Sequence, residues 1–150
     1  PIYWDQVESR ANRYSFTAFD QAFARLSKRR IKVIGVLGYG HPIYSPSGPP
    51  VSSRQFVPFG RYVRATVSRY AGKGYVWEIW NEANYALFWP GTNPEQYVSF
   101  ARRTATAIRS VAPREWVVGV SGAFPNASDD SWFPRAFQAG LLNDVDAISM

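Results

Sequence analysis

The stretch YVWEIWNEAN, residues 75–84, determines how this 150-residue sequence is best interpreted. Its β-branched and aromatic side chains are typical of a buried strand, which we predict over residues 75–81. Two glutamates, Glu78 and Glu82, interrupt the apolar character, and Asn81 directly precedes the second of them. Since parallel α/β folds carry their chemistry at the carboxyl ends of strands, Asn81 and Glu82 lie where functional groups are expected.

The rest of the chain alternates helical patterns with short apolar strands. The predicted elements are, in order, a helix over 16–29, a strand over 31–39, a helix from about 58 to 70, the strand over 75–81, a helix that begins after Asn93, a strand over 116–121, a short helix over 132–139 and a strand over 145–149. Thr17 and Asp20 are spaced as a capping pair for the first helix, and Asn93 with Gln96 for the third.

Strict alternation of helices and apolar strands indicates parallel strands that are covered by helices. A doubly wound open sheet and a (β/α)8 TIM barrel both fit, and the length favours the open sheet, since a barrel needs about 250 residues. However, no strand is followed by a glycine-rich phosphate turn. The chain also begins with Pro1 and stops on a strand without a covering helix. We therefore predict one partial barrel domain over residues 1–150, truncated at both ends.

Composition excludes several other classes of protein. The formal charge is +6, but the basic residues follow helical spacing or end a helix, so we expect no nucleic-acid partner. No apolar run approaches the roughly 20 residues that a membrane helix needs. The absence of cysteine rules out disulfides, and together with the single histidine it argues against a zinc site. We expect no cofactor. The sequence does not indicate an oligomeric state.

Strand alternation predicts different roles for the two glutamates. Glu78, Trp80 and Glu82 should share one face of the strand, with Glu82 at its mouth and Glu78 deeper. Glu78 is then a buried charge, for which Lys32 on the preceding strand is a candidate partner. Glu82 either caps a helix or pairs with an arginine, or it has a chemical role.

The aromatic surroundings favour the chemical role for Glu82. Four aromatic residues lie within 13 positions of one another, namely Trp77, Trp80, Phe88 and Trp89. Indole rings stack on the C–H faces of sugars, and apolar surroundings raise the pKa of a carboxyl group. A protonated glutamate in such a place can donate its proton to a glycosidic oxygen.

The motif WEIWNEAN, residues 77–84, resembles the strand-four signature W-E-x-W-N-E-P-N of family 39 glycoside hydrolases. This clan A family includes β-xylosidases, α-L-iduronidases and bacterial exopolysaccharide hydrolases, all retaining enzymes built on (β/α)8 barrels. Residues 3–40 are similar to the family's passage from the end of strand two through strand three. The segment VDAISM, residues 145–150, resembles strand six. The resemblance therefore covers nearly all of the chain and implies about strands two to six of a barrel.

The resemblance implies a role for each residue of the motif. Glu82 would be the general acid/base, and Asn81 would bind the 2-hydroxyl of the sugar at the cleavage point. The nucleophilic Glu of the family ends strand seven, beyond this chain, so the fragment alone should be inactive. Ala83 replaces the usual Pro and should change the loop more than the chemistry. The implied partner is an oligo- or polysaccharide, and the implied location is secreted or cell-envelope.

Four further residues are candidates for substrate binding, each with a structural alternative. His41 contacts substrate or braces the long loop over residues 40–53. Trp89, with Phe88, forms a sugar platform or plugs the barrel rim. Trp4 packs in the rim or contacts substrate, and Tyr39 is a weaker candidate. Trp116 and Trp132 we interpret as core residues.

Two other functional classes remain open on the sequence alone. A non-catalytic glycan-binding barrel would keep the aromatic rim and lack the strand-seven glutamate. A doubly wound domain would bind a nucleotide or metabolite where the strand order reverses.

Overall fold

The computed structural model describes residues 1–123 and 131–149. The strands are β1 (Ile2–Tyr3), β2 (Ile34–Gly38), β3 (Val76–Ile79), β4 (Trp116–Ser121) and β5 (Ala147–Ser149). The helices are α1 (Trp4–Val7), α2 (Thr17–Lys28), α3 (Ser53–Tyr70), α4 (Pro94–Arg109) and α5 (Trp132–Gln138), and a 3₁₀ turn covers Leu141–Asn143. The predicted elements are thus present, and the short strand β1, which the periodicity did not predict, lies where the family resemblance implies the end of barrel strand two.

The five strands form one parallel sheet in the order β1-β2-β3-β4-β5. Each crossover between parallel strands is right-handed in nearly all proteins. Because every crossover here moves to the next strand in the same direction, the connecting helices lie on one face of the sheet. A doubly wound sheet would reverse its strand order and carry helices on both faces. The doubly wound alternative is therefore wrong, and the sheet is that of a partial (β/α)8 barrel.

The main core lies between the sheet and the helices. Trp77 and Ile79 of β3 are fully buried there with aromatic and aliphatic residues of α3 and α4. Two helix tyrosines also bind the ends of the strands. The Tyr62 hydroxyl of α3 donates to the Ile2 carbonyl oxygen of β1, and the Tyr97 hydroxyl of α4 donates to the Ile79 carbonyl oxygen at 2.9 Å. The packing thus fixes the carboxyl ends of the strands against the helices.

The opposite face of the sheet has no helix over it among the described residues. Glu78 pairs in register with Val36 and Val118, so these side chains share this face. At its amino-terminal edge, Ile34 is 63% exposed and Trp116 is 60% exposed. Our interpretation of Trp116 as a core residue is therefore wrong, because it lies on the helix-free side of β4. Trp132 is in the core, at 2% exposure.

The starts of α4 and α3 show how well local sequence signals predict where a helix begins. Asn93 caps α4, and its side-chain oxygen accepts from the Gln96 backbone N–H at 2.7 Å, as predicted. By contrast, α3 begins five residues before Pro58, because Ser52 forms a capping box there.

The predicted Thr17–Asp20 capping pair at the start of α2 is wrong. Asp20 instead accepts hydrogen bonds from the side chains of Arg69, at 2.8 Å, and Tyr70, at 2.9 Å, at the end of α3. The Arg69 guanidinium holds the pKa of the Asp20 carboxyl below its usual value. The carboxylate therefore connects two helices instead of capping one.

Candidate active site

Asn81 and Glu82 follow the carboxyl end of β3, at the edge of the sheet where parallel strands carry functional groups. Both are half-buried. The strand stops at Ile79 because the backbone turns left-handed at Trp80, with φ of 65°, and again at Glu82, with φ of 44°. Non-glycine residues adopt this conformation only where their surroundings stabilise it. The turn therefore interrupts the strand alternation from which we predicted the directions of these side chains.

Trp80 and Trp89 belong to the core behind the site. The Trp80 ring packs against Phe59 of α3 and Phe100 of α4, so it lies on the helix side and does not share a face with Glu78. Trp89 crosses Trp80 edge-on at 5.7 Å between ring centroids and is completely buried. Its indole N–H donates to the Gln96 side chain at 3.1 Å. The complete burial of Trp89 favours the alternative of a plugged rim over that of a sugar platform.

At the carboxyl ends of the strands, the aromatic surface that solvent can reach comes from residues other than Trp80 and Trp89. Tyr39, directly after β2, lies 5.8 Å from Phe88 in a stacked arrangement and 5.6 Å from Tyr3, between ring centroids. Burial raises the pKa of the Tyr39 hydroxyl, and the charges of Tyr3, Glu82 and Glu78 raise it further. Tyr39 and Phe88 are both half-buried, whereas Trp89 is completely buried. The partly exposed aromatic surface at the strand exits is therefore that of Tyr39 and Phe88.

Glu78 lies within β3, on the helix-free face of the sheet, and is 6% exposed. Ser149 of β5 donates its hydroxyl to the Glu78 carboxylate, and burial raises the pKa of that carboxyl. Lys32 is exposed, and among the described residues no ion pair involves Glu78. The prediction of a Lys32 partner is therefore wrong, and a neutral hydroxyl takes its place.

A buried carboxylate that we did not select from the sequence, Glu8, organises the loops after β1 and β2. It accepts from the Trp4 indole N–H at 2.7 Å, from the Asn12 backbone N–H at 2.6 Å and from the Tyr44 hydroxyl at 3.0 Å. Trp4 is completely buried and stacks on Tyr44 at 5.3 Å. The structure therefore supports rim packing for Trp4 over substrate contact.

His41 is buried in the same cluster, and both ring nitrogens have protein partners. Nδ1 accepts from the Ile43 backbone N–H at 3.1 Å, so the proton lies on Nε2, which donates to the Glu8 carbonyl oxygen at 2.7 Å. This neutral tautomer braces the loop after β2 against the loop after β1. Bracing is thus the alternative that the structure favours for His41, whose polar atoms are not free for a substrate.

Asn84 is a supporting residue that sequence reasoning missed. Its side-chain amide donates to the Ala123 carbonyl oxygen at 3.1 Å and accepts from the Ala123 backbone N–H at 2.9 Å. This pair of hydrogen bonds joins the exit of β3 to the exit of β4. The only available signal was its position in the motif, two residues after Glu82.

The described carboxylates that follow Glu82 in the chain have protein partners. Glu95 pairs with Arg135, Asp144 with Arg102 and Asp146 with Arg109, and Glu115 accepts from the Gly72 backbone N–H and the Trp77 indole. Asp129 and Asp130, for which we predicted a capping role, lie outside the described residues.

Within the described ranges, no three metal-ligating side chains form a group suitable for a metal ion. The helices of those ranges include none with the length and apolar character to cross a bilayer.

Comparison with solved structures defines the class of fold. Neither a protein-family model nor a curated protein sequence matches the chain. A family 39 glycoside hydrolase from Bacteroides cellulosilyticus WH2 superposes with a TM-score of 0.78 and 20% identity, over 99% of this chain and 31% of that one. Xylanase 10B from Thermotoga petrophila RKU-1, in complex with xylobiose, gives 0.71 and 15%, over 97% and 47%. These matches show that the sheet and helices have the fold of part of a (β/α)8 barrel.

The particular likeness is to family 39. A monomeric β-xylosidase from Caulobacter crescentus CB15 superposes with a TM-score of 0.70 and 21% identity, over 91% of this chain and 30% of that one. The chain is thus structurally similar to family 39 enzymes, as the motif predicted, and it spans about a third of their length. At these identities the likeness shows the fold, and the activity remains to be proposed.

Proposed function

We propose that this chain is part of an O-glycosidase that cleaves an oligo- or polysaccharide with retention of configuration, and that Glu82 is its general acid/base. The observation that carries the proposal is the position of Asn81 and Glu82. They follow the carboxyl end of β3 in a barrel sheet that superposes on glycoside hydrolases, next to the exit of the paired strand β2, where Tyr39 lies. Asn81 is proposed to bind the 2-hydroxyl of the sugar at the cleavage point.

The proposed reaction proceeds by two displacements. Protonated Glu82 gives its proton to the glycosidic oxygen while a second carboxylate attacks the anomeric carbon, which breaks the glycosidic bond and forms a glycosyl ester. Glu82, now ionised, takes a proton from water, and the resulting hydroxide displaces the ester carboxylate. Retaining enzymes hold the two carboxyl groups about 5 to 5.5 Å apart. No cofactor enters this scheme.

The nucleophile is proposed to come from barrel strand seven, which would follow β5 by one strand. The described carboxylates after Glu82 support this placement. Glu95 forms an ion pair with Arg135, and Glu115 precedes β4 at the opposite end of the sheet. Asp144 and Asp146 precede β5 in the same way and bind arginines of α4.

Substitution of Glu82 in the whole barrel protein tests its role. Glu82→Gln should slow cleavage of unactivated glycosides severely. It should slow the first step much less for aryl glycosides whose leaving group needs no proton. Glu95→Gln is the matched control, because it neutralises an exposed carboxylate in the ion pair with Arg135. Full activity of Glu82→Gln on unactivated substrates would remove Glu82 from the mechanism.

Residues 1–150 expressed alone test the proposed missing nucleophile. We expect no hydrolysis of activated aryl glycosides across several sugars, and association of the chain through the open edges of β1 and β5. Turnover by this chain that Glu82→Ala abolishes would show that a second carboxylate from another part of the barrel is not required.

A further inference from the structure

A cavity of about 400 Å³ opens beside the candidate site, between the loop after β2 and the loop between β3 and α4. Its lining includes Asp5, Tyr39, His41, Trp80, Leu87 and Phe88. Trp80 and His41 are buried and form its back, whereas Leu87 is 72% exposed at its rim. The Tyr39 ring lies edge-on to the Trp80 ring at 5.3 Å between centroids, and Trp80 directly precedes Asn81 and Glu82, so the cavity adjoins the point of proposed cleavage.

The aromatic side of this cavity suits a sugar ring. Tyr3, Tyr39 and Phe88 form a continuous row with centroid spacings of 5.6 and 5.8 Å. Aromatic rings of this kind offer a large contact area with little loss of side-chain entropy, and they pack on the C–H faces of a pyranose. Asp5 supplies a carboxylate that accepts hydrogen bonds from hydroxyl groups.

The charge of this cavity is opposite to that of the chain. Although the formal charge is +6, the cavity lining contains Asp5 and no lysine or arginine among the described residues. The nearest groove with cations is a separate one, where Arg54 and Arg61 lie around Tyr44. The net charge is thus a poor guide to the substrate, because it resides elsewhere on the surface.

We propose that this cavity binds an uncharged sugar residue next to the cleavage point, with Tyr39 and Phe88 against its ring and Asp5 accepting from its hydroxyls, and that it discriminates against uronic acids. This inference rests on the proposed glycosidase function and specifies its substrate class. A carboxylate on the sugar would lie beside Asp5 without a compensating cation, and like charges at such range repel.

The test measures binding in the whole barrel protein that carries Glu82→Gln, which blocks turnover and isolates the charge of Asp5. The ligands are matched β-1,4-linked tetrasaccharides of glucose and of mannose, each compared by calorimetry with its C6-oxidised uronate. We expect a neutral tetrasaccharide to bind roughly tenfold more tightly than its uronate, the effect of one unscreened like charge in a half-exposed cleft. Tyr39→Ala should weaken neutral binding by a similar factor.

Asp5→Asn decides the electrostatic part of the proposal. Asp5 is exposed and keeps its shape in this variant, so folding should be unchanged and the preference for the neutral sugar should shrink towards unity. Glu95→Gln removes an equal charge that pairs with Arg135 outside the cavity lining, and it should leave the preference unchanged. Any one of three results would overturn the inference. The uronates could bind as tightly as the neutral sugars or more tightly, Asp5→Asn could leave the preference unchanged, or neither the neutral sugars nor the uronates could bind. The proposed function is judged separately, by the turnover of Glu82 variants.

Discussion

Tyr97 connects the two strands whose exits flank the candidate site, and its hydroxyl offers a sharp test of the packing. The side chain is completely buried. Its hydroxyl donates to the Ile79 carbonyl oxygen at 2.9 Å and accepts from the Val120 backbone N–H at 2.7 Å. Burial raises the pKa of this hydroxyl far above its usual value, so it stays neutral at every working pH. Tyr97→Phe keeps the ring and removes one oxygen.

The expected loss of stability follows from the two backbone groups that hydrogen-bond to the Tyr97 hydroxyl. A buried polar group left without a partner costs about 1 to 3 kcal/mol, and here both a carbonyl and an N–H lose one. We expect Tyr97→Phe to lower the free energy of unfolding by about 2 to 4 kcal/mol, a large fraction of the 5 to 15 kcal/mol that domains typically have. Tyr85→Phe, at an exposed tyrosine of the loop after β3, should change it by about 0.5 kcal/mol or less.

Urea denaturation of both variants measures the difference, and hydrogen exchange at the Val120 amide shows where it arises. The Val120 amide should exchange faster in Tyr97→Phe and at the native rate in Tyr85→Phe. If Tyr97→Phe matches Tyr85→Phe in stability and the Val120 amide stays protected, the hydroxyl does not hold β3 to β4 and the reasoning is refuted.

Three further predictions address the core and the site. Trp89→Ala should lower the free energy of unfolding, measured in urea, by about 3 to 5 kcal/mol. Phe88→Ala should instead reduce the affinity for sugar with little loss of stability. The reverse pattern would indicate that Trp89, and not Phe88, binds the sugar. Burial raises the folded-state pKa of Glu78 above its unfolded value, so its ionisation costs stability as the pH rises past both. Glu78→Gln should therefore stabilise more at pH 7 than at pH 4 in urea unfolding, and a pH-independent difference would contradict this. Asn93→Ala should cost about 1 kcal/mol of thermal or urea stability through loss of the cap on α4, and a neutral result would deny that the hydrogen bond to Gln96 contributes.

The fold was largely predictable because hydrophobic periodicity is a local signal. The apolar run of β3 and the helical spacing before it and after it located the elements within a few residues. The Asn93 cap was recognised because its hydrogen-bond partner lies three residues away. Periodicity missed one strand and placed the start of one helix too late. With only two residues, β1 has no period to detect, and the proline at position 58 suggested a later start for α3 than the Ser52 capping box gives.

The candidate site was predictable only where the motif itself specified it. Adjacent loop residues such as Phe88 and Trp89 have no periodic pattern, and side-chain contacts with Gln96 and Phe100 of α4 decide which of them is buried. The same holds for His41, whose ring nitrogens bind loop atoms from two strand exits. A sequence shows that a loop is aromatic, but the tertiary packing determines which aromatic faces the solvent.

The left-handed backbone at Trp80 and Glu82 explains why so apolar a stretch contains two carboxylates. Each such non-glycine residue costs on the order of 1 kcal/mol or more, so it persists only where packing overcomes the strain. For Trp80, that packing is the aromatic contact with α3 and α4, together with an indole N–H that donates to the Phe88 carbonyl oxygen at 2.9 Å. Because the turn places the Trp80 ring on the helix side, Asn81 and Glu82 follow it at the exit of β3, where both are half-buried. The tryptophan therefore anchors the strand exit that presents the proposed acid/base.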